Sequence, residues 1–552
     1  MTKTTTPVLV VGGGLTGLSA SIFLAWRGIP VVLAERHTGT STDPKARVVN
    51  PRTMELYRAV GLEPAIRATR SPIEGHTVVA HAPTVAAPEA LRLPTALNED
   101  VGALSPCDWA TIDQNQLEPL LRDRAVDLGV DVRFGTEVRD LRDAGDHVTA
   151  LLCDRVGGRP HEVTARHVIA ADGAHSPVRA MLGIPHDGPG ALTRLLTVYF
   201  QADLSRPLAG RKVIAMILHN PTVRGTLTPL DQRGHWRFSI SIGHDEDPAG
   251  YTEQRCGELL RAALGVDVPV RLDRVSRTPW EVSAQVARTV RVGRVFVAGD
   301  AAHVMPPIGA FGASTGVQDA FNLAWKLALV HLGTAGESLL DTYEVERLPV
   351  ARRTTREALR RYEFGQGRRR GEVGGAPTAQ RNTIFGYAYR DGAFIPEPDT
   401  ASDGVDTDEC LVEDPDHPSG RPGSRAPHLV LRRRDAQLSV LDLFGEGFVL
   451  LTGPTAVGWG AAAATVADRT GLGLTCHRIG DELRDIDGVF SSRYGIGPDG
   501  VVLVRPDGFV AWRAPLGHPA PDTVLADVVD RVLCRAAEGS RVPIGAAEVS
   551  GT

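Results

Sequence analysis

The segment that most constrains this chain is Gly12-Gly13-Gly14-Leu15-Thr16-Gly17. It follows an apolar run, Val8 to Val11, and leads into Leu15, Leu18, Ile22 and Ala25 at helical spacing. A buried strand that turns so abruptly into a helix needs backbone without Cβ atoms, which glycine supplies. A second apolar run, Ile29 to Ala34, closes a strand-helix-strand unit. Parallel strands joined by a helix require a right-handed crossover, so the chain is predicted to be α/β and to open as a Rossmann-like domain.

At 552 residues the chain holds three or four units on a prior of roughly 150 residues each. The Rossmann-like pattern is expected over 1–189 and again over 276–395, where Val292 to Asp300 has the same character and helices cover Gly316 to Leu332 and Leu339 to Tyr362. Between them, 190–275 alternates with period two, as in Arg237 to Ile242, and reads as an inserted β-rich domain. Residues 396–424 are polar and rich in Gly and Pro, as expected of a linker. Residues 425–552 carry strands at Phe448 to Leu451, Val501 to Val504 and Phe509 to Trp512, and a helix around Ala461 to Ala467, the pattern of a small α/β domain.

Composition excludes several classes of function. A net charge of -6 with acidic and basic residues nearly balanced gives no footprint for nucleic acid or an anionic membrane. The six cysteines show no CxxC and no spacing that would hold a metal, so none is expected. The N-terminus enters the first strand without a basic leader or a long apolar span, so a cytoplasmic protein is expected.

The glycine turn lets backbone approach a diphosphate whose charge faces the start of the helix. Gly12, Gly14, Leu15, Thr16 and Gly17 are therefore candidate binding residues, followed by Glu35 and Arg36 at the end of the second strand. A carboxylate at Glu35 accepts from a ribose 2'-hydroxyl and repels a 2'-phosphate, which favours FAD or NAD over NADP. A second stretch favours flavin: Arg294 to His303 is a strand ending in Gly299-Asp300, and Pro306-Pro307-Ile308-Gly309-Ala310-Phe311-Gly312 leads into a helix. A carboxylate at Asp300 suits a ribityl chain, and backbone amides beyond Pro307 and Gly309 suit the edge of an isoalloxazine ring. Gly312, Ala313 and Ser314 are the candidates there.

With Asp172-Gly-Ala-His-Ser-Pro-Val-Arg179 as a third ordered motif, the chain resembles the class A flavoprotein aromatic hydroxylases, and within them the aromatic polyketide hydroxylases. The resemblance implies that Asp172 serves FAD and NAD(P)H, that Arg47 lies near the ring and substrate, and that Gln114 contacts the FAD chain. It implies hydroxylation of a bulky aromatic molecule with NAD(P)H and O2 through a C4a-hydroperoxyflavin. Baeyer-Villiger oxygenation of a ketone and a non-catalytic flavin-binding role stay open. Residues 425–552 resemble a thioredoxin-like domain without its dithiol, associated with a homodimer.

Three departures stand out. Ala310 replaces a glycine, Ser314 stands where asparagine is common, and Gln116 where relatives carry arginine. For substrate, Met216, Trp236 and Pro306 are the candidates, with Leu218, Leu227, Phe238 and Pro307 around them. No catalytic base is chosen among His219, His235, His303 and the tyrosines.

Overall fold

The computed structural model describes residues 3–89, 91–94, 97, 99–276, 278–365, 377–397, 411–480 and 482–535. Residues 398–410 of the expected linker and the final residues, 536–552, lie outside the described residues.

The glycine turn lies where the sequence puts it. Strand Lys3–Val11 runs parallel to Val31–Glu35 and Pro160–Ala170, with Val10 opposite both Leu33 and Ile169. Val295–Val297 extends the sheet on one side and Asp131–Phe134 on the other. The first strand is buried on both faces: Val8 and Val10 join a core with Leu18 and Ile22 of helix Leu15–Trp26, while Leu9 and Val11 pack with Val148, Ala150 and Leu152 of an antiparallel hairpin. That double burial is why its sequence is a continuous apolar run.

The inserted sheet is larger than 190–275. It has nine strands and also draws in Val78–Ala82, Leu91–Pro94, Trp280–Ala287 and His303–Val304. The strands from 78–94 join by pairing Val78–Ala82 in parallel with Val213–His219, a long-range contact without a local signal. One face of this sheet packs on helix Glu253–Leu264 through Cys256, Leu260, Ala263 and Leu264. The other meets the Rossmann-like domain, where the Tyr199 hydroxyl donates to Asp43 at 3.1 Å.

The C-terminal part has four strands in the order Leu474–Arg478, Phe448–Thr452, Val501–Val504, Val510–Ala514. The first pair is parallel and the rest antiparallel, with helices Trp459–Thr470 and Pro521–Val532 packed together. A parallel pair followed by an antiparallel hairpin and a helix is the thioredoxin-like arrangement. Phe448 meets Trp325 of helix Gly312–His331 edge-on, with ring centroids 5.8 Å apart.

Charged groups close this junction. Glu346, fully buried on helix Thr342–Gly365, accepts from Arg505 NH1 at 2.7 Å and NH2 at 2.9 Å, from Lys326 Nζ at 2.8 Å and from the Ala393 amide at 2.8 Å. Arg505 also reaches Asp507, and its guanidinium lies 5.2 Å from the centre of the Trp325 ring. Burial alone would raise the Glu346 pKa, but Arg505 and Lys326 outweigh it and bring it down to about 2 from an ordinary 4.5. A carboxylate depressed in this way contributes stability above its unfolded value and loses it as pH falls through its folded value. Glu346→Gln is therefore expected to lower unfolding free energy by about 3–5 kcal/mol at neutral pH, since it leaves buried cations uncompensated. The deficit should shrink as pH falls from 4.5 towards 2. Urea titrations of both proteins across pH would check this, and an unchanged deficit would remove the charge from the explanation.

Candidate functional site

The glycines of the first turn divide by what surrounds them. Gly12 has φ +105°, and a Cβ there would overlap the Ala171 carbonyl. A Cβ on Gly17 would overlap the Gly12 carbonyl oxygen, and one on Gly13 would meet Glu35 Cβ at 2.8 Å. Gly14 is different: the nearest protein atom to a Cβ there is Glu118 Oε1 at 3.8 Å. Three glycines thus serve the protein's own packing, and the fourth leaves space.

Gly14 is also the N-cap of helix Leu15–Trp26, with no side-chain cap and no acidic residue in the first turn. The amides of Leu15, Thr16 and Gly17 open the helix without an intrahelical acceptor, which suits an anionic diphosphate. Glu35 Oε2 accepts the Gly13 amide at 2.6 Å, and its Oε1 accepts the His37 amide at 2.7 Å. With the His37 ring Nδ1 also 2.6 Å from Oε1, the carboxylate is oriented at the strand end and keeps acceptor capacity for one ribose hydroxyl. Arg36 beside it is exposed.

Thr16 joins this half of the site to the second. Its hydroxyl fills the space that a Cβ on Gly299 or on Gly316 would need, so helices Leu15–Trp26 and Gly312–His331 cross closely. The turn at Gly299 presents Asp300, which is exposed within a recess of the protein. No described residue donates a hydrogen bond to its carboxylate, and desolvation by the surrounding protein raises its pKa against the pull of His303 and Lys45. A carboxylate that is deeply surrounded, accessible and unpaired fits the hydroxyls of a ribityl chain.

Helix Gly312–His331 likewise begins without a side-chain cap or acidic first turn, so Gly312, Ala313 and Ser314 contribute open amides. The loop before it is tight: Gly309 has φ +83° and a Cβ there would overlap the Phe311 ring, while Ala310 takes a left-handed φ of 55°. The departure at Ala310 keeps the loop path at a backbone cost of about 1–2 kcal/mol. Pro306 is buried, its carbonyl accepting the Ile308 amide at 2.7 Å, and Pro307 is exposed.

A strap from Ser41 to Arg47 passes beside Gly14. Gln114 binds Ala46 in both directions, its amide donating to the Ala46 carbonyl at 2.7 Å and its Oε1 accepting the Ala46 amide at 3.2 Å. Glu118, one helical turn on, accepts the Ser41 amide at 2.6 Å and Gln114 Nε2 at 2.7 Å. Glu118 was missed in the sequence, although its spacing of four residues from Gln114 was the available signal. Gln116 also finds a local role, accepting the Asp113 amide at 3.2 Å at the helix start.

The remaining predicted site residues have partners within the protein. The Arg47 guanidinium pairs with both oxygens of Asp113, at 2.7 Å and 3.0 Å, and donates to the Pro229 carbonyl of the inserted sheet. It ties the strap to that sheet. Asp172 accepts from the Ser176 hydroxyl and the Val178 amide, so its carboxylate shapes its own turn. Met216 and Trp236 are on the wrong face. With Leu218, Leu227 and Phe238 they form the closed core against helix Glu253–Leu264, and Trp236 Nε1 donates to the Ala202 carbonyl at 3.0 Å. Strand alternation then turns Ile217, Thr226, Arg237 and Ser239 towards the Rossmann-like domain.

None of the three histidines is poised as a base. His303 is 1% exposed and bound to Asp319 at 2.6 Å, His235 pairs with Asp231 at 2.6 Å, and His219 is an exposed strand end.

Two open helix starts on one α/β sheet, with an unpaired carboxylate beside the second, define a flavoprotein of the dinucleotide-binding class. The comparisons agree: the FAD binding domain family matches residues 5–358, and the family described as aromatic-ring hydroxylase, C-terminal, matches 419–536. A 4-methyl-5-nitrocatechol 5-monooxygenase of Burkholderia sp is 41% identical over 96% of this chain and 98% of that protein. The tetracenomycin A2 monooxygenase-dioxygenase of Streptomyces glaucescens is 39% identical over 96% and 97%. Among solved structures, aklavinone-11 hydroxylase in complex with FAD and aklavinone matches with a TM-score of 0.89 at 37% identity, over 97% of this chain and all of that one. The chain belongs to the FAD-dependent aromatic-ring hydroxylases and is a flavin-dependent monooxygenase.

The glycines generate a paired prediction. Gly14→Ala should leave stability within about 1 kcal/mol, as for other N-cap exchanges, yet weaken FAD binding at least about tenfold by filling the open space. Gly17→Ala should instead lower stability by about 1–3 kcal/mol through overpacking. Thermal unfolding of apoprotein together with FAD titration would separate the two, and normal FAD affinity in Gly14→Ala would place the diphosphate elsewhere.

Proposed function

We propose that the enzyme uses NAD(P)H and O2 to hydroxylate a bulky, electron-rich aromatic molecule of the polyketide type. The observation that carries this reading is the pair of uncapped helix starts at Gly14 and Gly312, with the unpaired carboxylate of Asp300 on the turn ahead of the second. Full-length relatives that act on tetracenomycin A2 and aklavinone support a fused-ring substrate. The nitrocatechol relative supports a phenolic one.

In this reading FAD lies with its diphosphate at Gly14 to Gly17, its adenosine ribose at Glu35, its ribityl chain at Asp300 and its ring edge at the amides of Gly312, Ala313 and Ser314. When bound and reduced by NAD(P)H, it supplies the activated oxygen atom. The protein's own task is to position the aromatic carbon and exclude water, so that oxygen transfer outcompetes wasteful release of peroxide. The wall for that task is apolar: Met305 and Ala310 pack on a cluster of Trp109, Phe311, Ile384 and Phe385. No described side chain is assigned as general base. A cytoplasmic homodimer completes the proposal; among the described residues no helix is long and apolar enough to cross a membrane.

Purified protein is expected to release FAD rather than FMN on denaturation, and Asp300→Ala to hold FAD about ten- to hundredfold more weakly through loss of a charge-assisted hydrogen bond. Under labelled O2, mass spectrometry of the product should find one labelled oxygen as a new ring hydroxyl. A ring-expanded lactone would redirect the reading to ketone oxygenation, and substrate-independent NADPH consumption without product would end it.

A further inference from the structure

The FAD domain and the C-terminal domain enclose a cavity of about 310 Å³, where the ends of helices Leu15–Trp26 and Gly312–His331 meet strand Phe448–Thr452. Its walls include Trp26, Trp325, Leu329, Phe448 and Leu472, and Arg27 lines it beside them. Small-molecule sites span roughly 300–1,000 Å³, favour domain junctions and set a few polar groups among aromatic and aliphatic walls. Leu332, 63% exposed, stands at the mouth.

Arg27 is the polar group whose charge the fold leaves uncompensated. It is half-buried, NH1 donating to the Phe23 carbonyl at 2.9 Å and NH2 to the Gly445 carbonyl at 2.8 Å, while Nε has no partner. Both acceptors are neutral, and each terminal nitrogen keeps one N–H uncommitted. Among the described residues no carboxylate forms an ion pair with it: Asp507 is held by Arg505, and Glu446 is exposed at the rim. Burial draws its pKa down to about 9, against the more distant pull of Asp507 and Glu446. At neutral pH it is therefore still a cation, steadied by the rings of Trp26 and Phe321, whose centres lie 4.8 Å and 4.9 Å away. A buried charge in this state is unfavourable until an anion completes it. Two free N–H groups on a planar guanidinium suit a carboxylate, and the surrounding aromatic walls suit a flat ring system.

We propose that this junction cavity is a second ligand site that takes an aromatic carboxylate of roughly two or three fused rings, its carboxylate on Arg27 and its rings among Trp26, Trp325 and Phe448. Gly312 to Ser314 open the helix whose Trp325 and Leu329 line the cavity, about 20 Å further along at about 1.5 Å per residue. A ligand here does not touch a flavin at the other end. It bridges the two domains instead, next to Lys326 and Arg505, which lie 5.7 Å and 5.2 Å from the centre of the Trp325 ring. Occupancy therefore stabilises the junction, whatever reaction the flavin site performs.

The test titrates FAD-loaded wild type, Arg27→Gln, Arg27→Lys and Leu332→Trp with 2-naphthoate and with its methyl ester. Calorimetry gives the affinities, flavin absorbance is recorded in parallel, and thermal unfolding is repeated at saturating ligand. Wild type is expected to bind the acid at least about tenfold more tightly than the ester, to unfold at a higher temperature with it, and to keep its flavin spectrum. Arg27→Gln should weaken the acid about ten- to hundredfold and leave the ester unchanged, and Arg27→Lys should recover part of the loss. Leu332→Trp narrows the mouth from an exposed position and should weaken both probes, which keeps the test decisive if Arg27→Gln does not fold. The proposal is overturned if wild type binds neither probe, if acid and ester bind alike, or if Arg27→Gln or Leu332→Trp binds the acid as wild type does. It also fails if the whole heat of binding follows a change in flavin absorbance, which would give the acid to the flavin site.

Discussion

A single buried carboxylate, Glu346, is the interaction on which the assembly of this molecule depends. It lies on helix Thr342–Gly365 and receives Lys326 from helix Gly312–His331 and Arg505 from the C-terminal sheet. Asn322 extends the contact, donating to Glu346 at 2.6 Å and to Asp507 at 3.2 Å. On the other side of the same helix pair, Arg347 binds Asp319 at 2.8 Å, and Asp319 accepts from His303 at 2.6 Å and the Gly299 amide at 3.3 Å. Charges taken out of water are tolerated only when every one is paired and hydrogen-bonded. Satisfying this set requires three parts of the chain to be present together.

The consequence reaches the proposed flavin site. Asp319 grips the turn that presents Asp300, and its own position is fixed through Arg347 by packing that extends to the C-terminal domain. That domain has no dithiol chemistry to offer: Cys476 and Cys534 are free, and burial raises both thiols. Its contribution is made by Arg505, Asp507 and Arg425. Arg425 reaches Glu55 on helix Pro51–Ala59, and Arg52 of that helix donates to the Asp507 carbonyl at 2.6 Å. A thioredoxin-like fold is used here as a structural clamp.

The inserted sheet meets the FAD domain through a different kind of contact. Its junction runs through Arg47, Asp113, Pro229 and the strap beside Gly14, and through Tyr199 and Arg274 on Asp43. This seam is polar, with the apolar core of the inserted domain on the far face of its sheet. Arg237 belongs to that seam, donating to Thr228 and Pro44.

The sequence by itself determined the parts whose physics is local. The glycine turn with its flanking strands, the Gly299-Asp300 turn and the rigid loop to Gly312 follow from backbone demands expressed over a few neighbouring residues, whereas the thioredoxin-like order of the last elements was legible only through resemblance. Period two in the inserted sheet was equally legible, yet it states only that the two faces differ. Which face meets the Rossmann-like domain depends on where helix Glu253–Leu264 packs, and that is why Met216 and Trp236 were read as substrate residues although they lie in the helix-covered core. Arg47 and Asp172 carried the right motifs, but their partners, Asp113 with Pro229 and Ser176 with Val178, decided what their charges do. Glu346 itself joins Lys326 and Arg505, 20 and 159 positions away in the chain. No local pattern encodes such pairing, because a buried charge is defined by the groups that replace its water, and only the tertiary structure brings those groups together.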